Sequence, residues 1–219
     1  MSTAVDLANV TRKLGGSTVV TGVNFRLAAG RLLMLRGANG SGKTTLLRLI
    51  AGRLRPTTGT AQVFGFDTVK QPDEVRKHVG MLTVLGGNYP ILTAKENLRL
   101  AADLGVAGPV SEAQLNDILR AVGLGETGLK LTRTFSSGMK KRLGLARLIL
   151  LDPALWLLDE PHAALDTAGK NLIDQLVGEA QARGRTIIMA SHEDDRDTLQ
   201  PDATVEMVHG KLALVEARA

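Results

Sequence analysis

The chain has 219 residues, enough for one substantial core and too few for two full-sized domains. Its 27 basic and 22 acidic residues give a net charge of +5, which permits contact with nucleic acid or an anionic membrane surface without requiring either. The absence of cysteine excludes disulfides, thiolate zinc sites and cysteine nucleophiles, and it suits a reducing compartment.

The N-terminal segment MSTAVDLANVTRKLGG lacks the apolar stretch and cleavage site of a secretory signal. No window approaches the roughly 18 to 20 consecutive apolar residues that a membrane-spanning helix needs. We therefore expect a cytoplasmic protein, and other chains must supply the membrane if it serves a membrane process.

Strand patterns dominate the first part of the chain. The segments AVDLANV, STVVTGVNFRLA and RLLMLRG alternate or are short and apolar, and glycine-containing turns separate them, so they predict three strands. From Gly42 onward, KTTLLRLIAGRL carries leucines at helical spacing, and the short segment AQVFGF predicts one further strand.

The second half predicts helices, then buried strands. LTAKENLRLAADLG places Thr93 three residues before Glu96, which is a capping-box arrangement, and SEAQLNDILRAVGL begins with a serine N-cap. The runs ALWLLDE and RTIIMASH are apolar on both faces and flank the helical segment NLIDQLVGEAQARG, which is typical of a parallel sheet. A hairpin is predicted to turn at His209 and Gly210.

A phosphate-binding loop follows the third strand. GANGSGKT matches G-x-x-x-x-G-K-[ST] between an apolar strand and an apolar-faced helix, the context that this motif requires. Its backbone N–H groups suit phosphates, Lys43 reaches the terminal phosphates, and Thr44 offers a hydroxyl to Mg²⁺. The predicted nucleotide contacts here are Gly37, Ala38, Asn39, Gly40, Ser41, Gly42, Lys43, Thr44 and Thr45.

Acidic residues end the buried strand LWLLDE. Downstream of a phosphate-binding loop, Asp159 is predicted to hold the Mg²⁺ shell and Glu160 to deprotonate the attacking water. His192 follows the strand TIIMAS, where a polar side chain reaches a phosphate at the carboxyl edge of the sheet. The predicted catalytic residues are therefore Lys43, Glu160 and His192, and the predicted metal ligands are Thr44 and Asp159.

These motifs, with FSSGM between them, resemble the ATP-binding subunits of ABC (ATP-binding cassette) transporters over nearly the whole chain. The order is the phosphate-binding loop, a helical block, the signature-like FSSGM, the Walker B segment LWLLDE, an ALD segment ending at Asp166, and His192. FSSGM starts a helix with small residues, so it also suits an anion. The resemblance explains this second phosphate cradle, since in the family the signature of one subunit caps the nucleotide of another.

The resemblance implies an α/β fold with a P-loop NTPase (RecA-like) core built on a mainly parallel sheet, an N-terminal antiparallel β subdomain and an α-helical signature subdomain. One domain would span 1–219, with the core and β subdomain in 1–84 and 148–219 and the helical subdomain in 85–147. Two ATP molecules with Mg²⁺ would bind between two copies paired head to tail. Across that interface, Ser136 and Gly138 would contact the partner's nucleotide, and Asp166 would connect the two sites.

Four positions depart from the usual family pattern. The signature LSGGQ has Ser137 in place of the middle glycine and Met139 in place of glutamine, and we expect the backbone contact to persist. Val84 stands where the Q-loop glutamine is expected, and valine cannot ligate a metal. Leu14 replaces the aromatic residue that stacks on adenine, which predicts weak base selectivity.

The expected function is the ATPase of an ABC exporter, peripheral on the inner face of the cell membrane and joined to separate transmembrane permease subunits. The phrases TAKENLRL and SSGMKKRLGLARL resemble the haem-exporter ATPase of cytochrome c maturation most, with multidrug or polysaccharide exporters of the ABC-2 type as the alternative. A soluble ABC ATPase acting on DNA or ribosomes is a weaker alternative, so nucleic acid is an unlikely partner. A P-loop kinase would leave FSSGM and His192 without a role.

Overall fold

Two β-sheets organise the chain in the computed structural model, which describes residues 2–83, 87–105, 108–192 and 199–217. The strands are β1 (Thr3–Leu14), β2 (Ser17–Ala28), β3 (Leu32–Arg36), β4 (Thr58–Val63), β5 (Phe66–Asp67), β6 (Val79–Leu82), β7 (Leu155–Asp159), β8 (Thr186–Ser191), β9 (Ala203–Val208) and β10 (Lys211–Ala217).

The smaller sheet is antiparallel, with the order β2-β1-β4-β5. The larger sheet has the order β10-β9-β3-β8-β7-β6, in which β9, β3, β8, β7 and β6 run parallel and β10 runs antiparallel. The predicted antiparallel and mainly parallel sheets are both confirmed.

Six α-helices accompany the sheets in the described ranges. The predicted helices are confirmed, and both predicted caps form complete capping boxes at Thr93 and Ser111. Short 3₁₀ turns at Gly125–Thr127 and Thr132–Thr134 precede the helix that begins within the signature. The α-helices are α1 (Lys43–Ile50), α2 (Pro72–His78), α3 (Ala94–Leu104), α4 (Glu112–Ala121), α5 (Ser137–Leu151) and α6 (Thr167–Ala182).

The parallel sheet is buried on both faces, as its continuous apolar runs predict. Successive residues of β7 alternate between two hydrophobic clusters: Leu155 and Leu157 belong to one, and Trp156 and Leu158 to the other. The first cluster includes α1 and the antiparallel sheet, and the second includes α3 to α6. This packing brings the carboxyl ends of β3, β7 and β8 to one edge of the sheet.

The segment after α1 differs from the sequence prediction. AQVFGF forms two strands rather than one, because Phe64 and Gly65 adopt left-handed conformations and turn the chain between β4 and β5. The helix α2 and the strand β6 were not predicted. In the ranges that the structure describes, no helix is long and apolar enough to cross a membrane.

Candidate functional site

The phosphate-binding loop leaves β3 and enters α1 with Gly42 at the N-cap. Gly42 has φ 112°, and a Cβ there would lie 2.7 Å from the carbonyl oxygen of Val19. A Cβ at Gly37 would lie 2.4 Å from the carbonyl oxygen of Met207. Only glycine fits at these two points, so close backbone packing explains both glycines of the motif.

A cavity of about 270 Å³ opens over this loop. Glu160 and Val19 face it from other parts of the chain. Nothing in the sequence pattern of β2 pointed to Val19, since its position depends on how the two sheets pack. The described residues that line the cavity are Val19, Ala38, Asn39, Gly40, Gly42, Lys43, Thr44, Thr45 and Glu160.

Lys43 is buried at the base of the cavity. Its Nζ donates to the carbonyl oxygens of Gly37 at 2.5 Å and Ala38 at 3.2 Å, and it lies 3.4 Å from Glu160 Oε1. The Oγ of Ser41, also buried, has no hydrogen-bond partner among the described residues. A buried ammonium group, a loop of glycine N–H groups and an unsatisfied hydroxyl fit a phosphate-bearing ligand.

Thr44 and Asp159 meet at the same edge, although 115 positions separate them in the chain. Thr44 Oγ1 donates to Asp159 Oδ1 over 2.9 Å. Burial raises the pKa of Asp159 and the neighbouring Glu160 adds to the rise, while the hydrogen bond from Thr44 lowers it. A desolvated carboxylate beside a hydroxyl is a donor set that Mg²⁺ accepts. The described residues contain no group of three or more His, Asp or Glu side chains that could hold a metal ion.

Glu160 and His192 lie side by side because β7 and β8 are neighbouring parallel strands. His192 Nδ1 is 2.6 Å from Glu160 Oε2. The backbone of Glu160 has φ 50°, and its N–H donates to the carbonyl oxygen of Ala190 in β8 at 3.0 Å. The carboxylate of Glu160 thus lies beside Lys43 and His192, the other two predicted catalytic residues, and Lys43 and Glu160 line the cavity.

The signature residues sit elsewhere. Ser136 is the N-cap of α5 and its side chain accepts from the N–H of Met139, and Asp166 caps α6 by accepting from the N–H of Gly169. Gly138 packs closely against the Leu165 side chain, which a Cβ would approach to 2.8 Å. None of Ser136, Gly138 and Asp166 is among the described residues that line the phosphate cavity. Within one chain, the two predicted phosphate cradles are therefore separate.

The positions that depart from the family pattern lie in different environments. Val84 lies outside the described residues. Leu14 ends β1 and is 38% exposed, so its apolar side chain is available to a flat ligand. Met139 packs against the second hydrophobic cluster. Asn88, the first residue with a side-chain amide after Val84, donates through Nδ2 to the carbonyl oxygen of Lys140 in α5 at 2.8 Å.

Comparisons with known proteins agree with this geometry. A model of the ABC transporter family matches residues 20–163. The bacitracin transport ATP-binding protein BcrA of Bacillus licheniformis is 35% identical over 88% of this chain, and the chain spans 62% of the length of that relative. The cytochrome c biogenesis ATP-binding export protein CcmA of Nitrosospira multiformis is 36% identical over 82% of this chain and 87% of its own length.

The fold has a counterpart among solved structures. The dimeric structure of a post-hydrolysis state of the ATP-binding cassette MJ0796, bound to ADP and Pi, matches with a TM-score of 0.88 and 25% identity. That match covers 98% of this chain and 99% of the other. The predicted fold class is therefore confirmed.

Proposed function

We propose that this chain, which belongs to the ABC transporter family of ATPases, is the ATP-hydrolysing subunit of an exporter. Two copies of the chain would pair head to tail and act together with separate membrane subunits. The observation that carries this proposal is the contact of Glu160 with both Lys43 and His192 beside the phosphate-binding loop, while Ser136 and Gly138 of the signature do not line that cavity. We further propose that residues 1–219 act as one ABC ATPase domain.

ATP with Mg²⁺ is the proposed ligand of the cavity. The loop N–H groups and Lys43 would bind the phosphates, and Thr44 and Asp159 would hold Mg²⁺, which neutralises phosphate charge when it is bound. Glu160 would take a proton from the water that attacks the terminal phosphorus, and His192 would orient Glu160 through the contact at 2.6 Å. The products are ADP and inorganic phosphate.

The pair is proposed because the signature residues Ser136 and Gly138 do not line the cavity of their own chain. Ser136 and Gly138 of one copy would cover the nucleotide of the other copy, and Asp166 would lie between the two sites. The neighbour MJ0796 is dimeric in its post-hydrolysis state, which supports this arrangement. Because ATP would contact both copies, it favours the closed pair, and hydrolysis removes that preference.

A groove beside α3 and α5 supports contact with a membrane subunit. It has a volume of about 400 Å³ and is lined in part by Arg53, Tyr89, Leu104 and Arg147. Tyr89 is 52% exposed and Leu104 is 73% exposed, so apolar surface is open to a partner. Arg53 and Arg147 bring two positive charges to this groove, so an acidic residue of a partner would be stabilised here. This contact would place the protein on the inner face of the cell membrane.

For the transported substrate we propose haem export for cytochrome c biogenesis, with drug, antibiotic or polysaccharide export as the alternative. CcmA proteins of two bacteria are 36% identical over 87% and 79% of their own lengths, which supports the first. BcrA at 35% identity and the daunorubicin/doxorubicin resistance protein DrrA of Streptomyces peucetius at 30% support the alternative.

Deletion of the gene, followed by staining for haem bound covalently to c-type cytochromes, tests the substrate. Loss of the stain, restored by the intact gene and not by a Lys43→Ala copy, supports haem export. Normal c-type cytochromes together with new sensitivity to an antibiotic would instead support the alternative.

A further inference from the structure

The turn that joins β7 to α6 carries two residues in an unusual conformation. Glu160 has φ 50° and Ala164 has φ 61°, both in the left-handed region that residues other than glycine seldom occupy. Such residues persist only where surrounding contacts determine the backbone. Since Glu160 is the proposed base, the contacts that hold this turn also set the position of its carboxylate.

Lys141 reaches this turn from α5. Its Nζ donates to the carbonyl oxygen of Glu160 at 2.7 Å and to that of Ala163 at 2.6 Å. The residue is only 2% exposed, although lysine is rarely buried in proteins. An ammonium group offers three donors on one atom, which an apolar side chain of the same length cannot replace.

The same helix begins with the signature. Ser136 caps α5, Gly138 packs against Leu165 of the turn, and Lys141 follows one helical turn later. The first turns of α5 therefore contact the 160–166 turn at two points. A shift of α5 moves the Lys141 ammonium group, and with it the backbone of Glu160.

We propose that Lys141 is a positioning residue that connects the signature, which faces the partner's nucleotide, to the hydrolytic base of its own nucleotide. The inference rests on the proposed function, in which Ser136 and Glu160 serve two different ATP molecules. When the pair closes and the signature contacts the partner's nucleotide, α5 would shift, and the two hydrogen bonds from Lys141 would move the turn that carries Glu160. Binding of ATP at one site would therefore change the position of the base at the other site.

A second buried contact holds the turn from its other side. His162 Nε2 lies 2.6 Å from Asp174 Oδ1 of α6, and both side chains are buried. The turn therefore keeps an anchor on α6 when Lys141 is changed. A variant at position 141 is expected to fold, with the carboxylate of Glu160 displaced.

The test is a cycle of four proteins, namely the unchanged chain, Lys141→Met, Glu160→Gln and the double variant, each assayed for kcat and KM of ATP hydrolysis. Lys141→Met should lower kcat about 10- to 100-fold, the usual loss when a catalytic group is misplaced, with KM changed less than about 2-fold. In the Glu160→Gln background the same change should lower the residual rate less than about 2-fold, because the group that Lys141 positions is already gone. Lys141→Arg should retain most of the activity, since it keeps the donors.

Thr186→Val is the matched control. Thr186 is 1% exposed and its Oγ1 accepts from the N–H of Gly30 at 3.0 Å, so this variant also loses a buried hydrogen bond, at the amino end of β8 and away from the carboxyl edge that holds Glu160. It should lower the melting temperature and leave kcat unchanged. If Lys141→Met unfolds the chain, Lys141→Gln, which is shorter and uncharged but keeps two amide N–H donors, takes its place in the cycle.

The proposal would be overturned if Lys141→Met lowered kcat by the same factor in the unchanged chain and in the Glu160→Gln background. It would also be overturned if Lys141→Met changed only KM. An unchanged rate for Glu160→Gln alone would instead contradict the proposed function, so the two failures are distinguishable.

Discussion

His192 Nδ1 lies 2.6 Å from Glu160 Oε2, and the other carboxylate oxygen of Glu160 lies 3.4 Å from Lys43 Nζ. Three elements that are far apart in the sequence thus converge on one carboxylate. The carboxylate of Glu160 lies between these two nitrogen atoms and lines the cavity in which the phosphates would bind.

Removing the negative charge of Glu160, the proposed base, should slow ATP hydrolysis. We expect Glu160→Gln to lower kcat about 100- to 10,000-fold, the range for loss of a general base, while ATP still binds. His192→Ala should lower kcat by a smaller factor, because it only orients Glu160. Glu126→Gln changes an exposed acid and serves as the control. Phosphate release measures all three, and equal rates for Glu160→Gln and Glu126→Gln would contradict the role of Glu160.

Two glycines with opposite surroundings test the close packing of the phosphate-binding loop. Gly42→Ala should destabilise the chain by about 1 to 3 kcal/mol and abolish ATP binding, because its Cβ meets the carbonyl oxygen of Val19 at φ 112°. Gly178→Ala, inside α6 with nothing within 4 Å of the new Cβ, should stabilise it by about 0.5 to 1 kcal/mol. Thermal unfolding with and without ATP measures both. A stable, ATP-binding Gly42→Ala variant would contradict the packing.

Neutralising Asp159 should stabilise the ligand-free chain. Its pKa is raised by burial, so its ionised form weakens the folded state at neutral pH. Asp159→Asn should raise the unfolding free energy by about 1 kcal/mol, a midpoint shift of about 2 to 4 °C, while hydrolysis falls sharply. The gain should shrink as the pH falls through the raised pKa and disappear below the ordinary aspartate pKa of about 3.9. If the stability gained by Asp159→Asn grew as the pH fell, the ionised carboxylate would stabilise the folded state, which would contradict this prediction.

The missing stacking aromatic predicts poor discrimination between nucleobases. Stacking contributes about 1 to 3 kcal/mol per base, so Leu14→Tyr should tighten ATP binding about 5- to 150-fold. Leu129→Tyr adds the same ring at another exposed leucine and should have no effect. Competition between ATP and GTP measures selectivity in the unchanged chain. Strict preference for ATP there would mean that another residue recognises adenine.

Much of the site was accessible from the sequence because its signals are local. GANGSGKT, LWLLDE and His192 each lie at the end of an apolar run, and parallel strands deliver such ends to one edge. The roles assigned to these residues remain predictions. Lys141 and Val19 were missed because their positions depend on packing between distant segments, and a lysine within a basic helix gives no sign that it is buried. The α2 helix does carry local signals, a proline at its start, acidic residues in its first turn and basic residues in its last, although no helix was predicted there.

The exact strand boundaries after α1 were also beyond the sequence. The left-handed Phe64 splits AQVFGF into two strands, although phenylalanine ordinarily favours extended backbone. Here the antiparallel pairing of Val63 with Phe66 determines the turn. Tertiary pairing thus overrides local preference.

In the proposed pair, each chain supplies complementary halves of two nucleotide sites. Sedimentation of the Glu160→Gln variant with saturating ATP and Mg²⁺ measures whether the pair forms, with Ser136→Arg added in the same background to obstruct the signature surface. We expect twice the mass of one chain for Glu160→Gln and the mass of a single chain, still able to bind ATP, for the double variant. A Glu160→Gln chain that stays single at saturating ATP, together with a hydrolysis rate per unchanged chain that is independent of concentration, would contradict it.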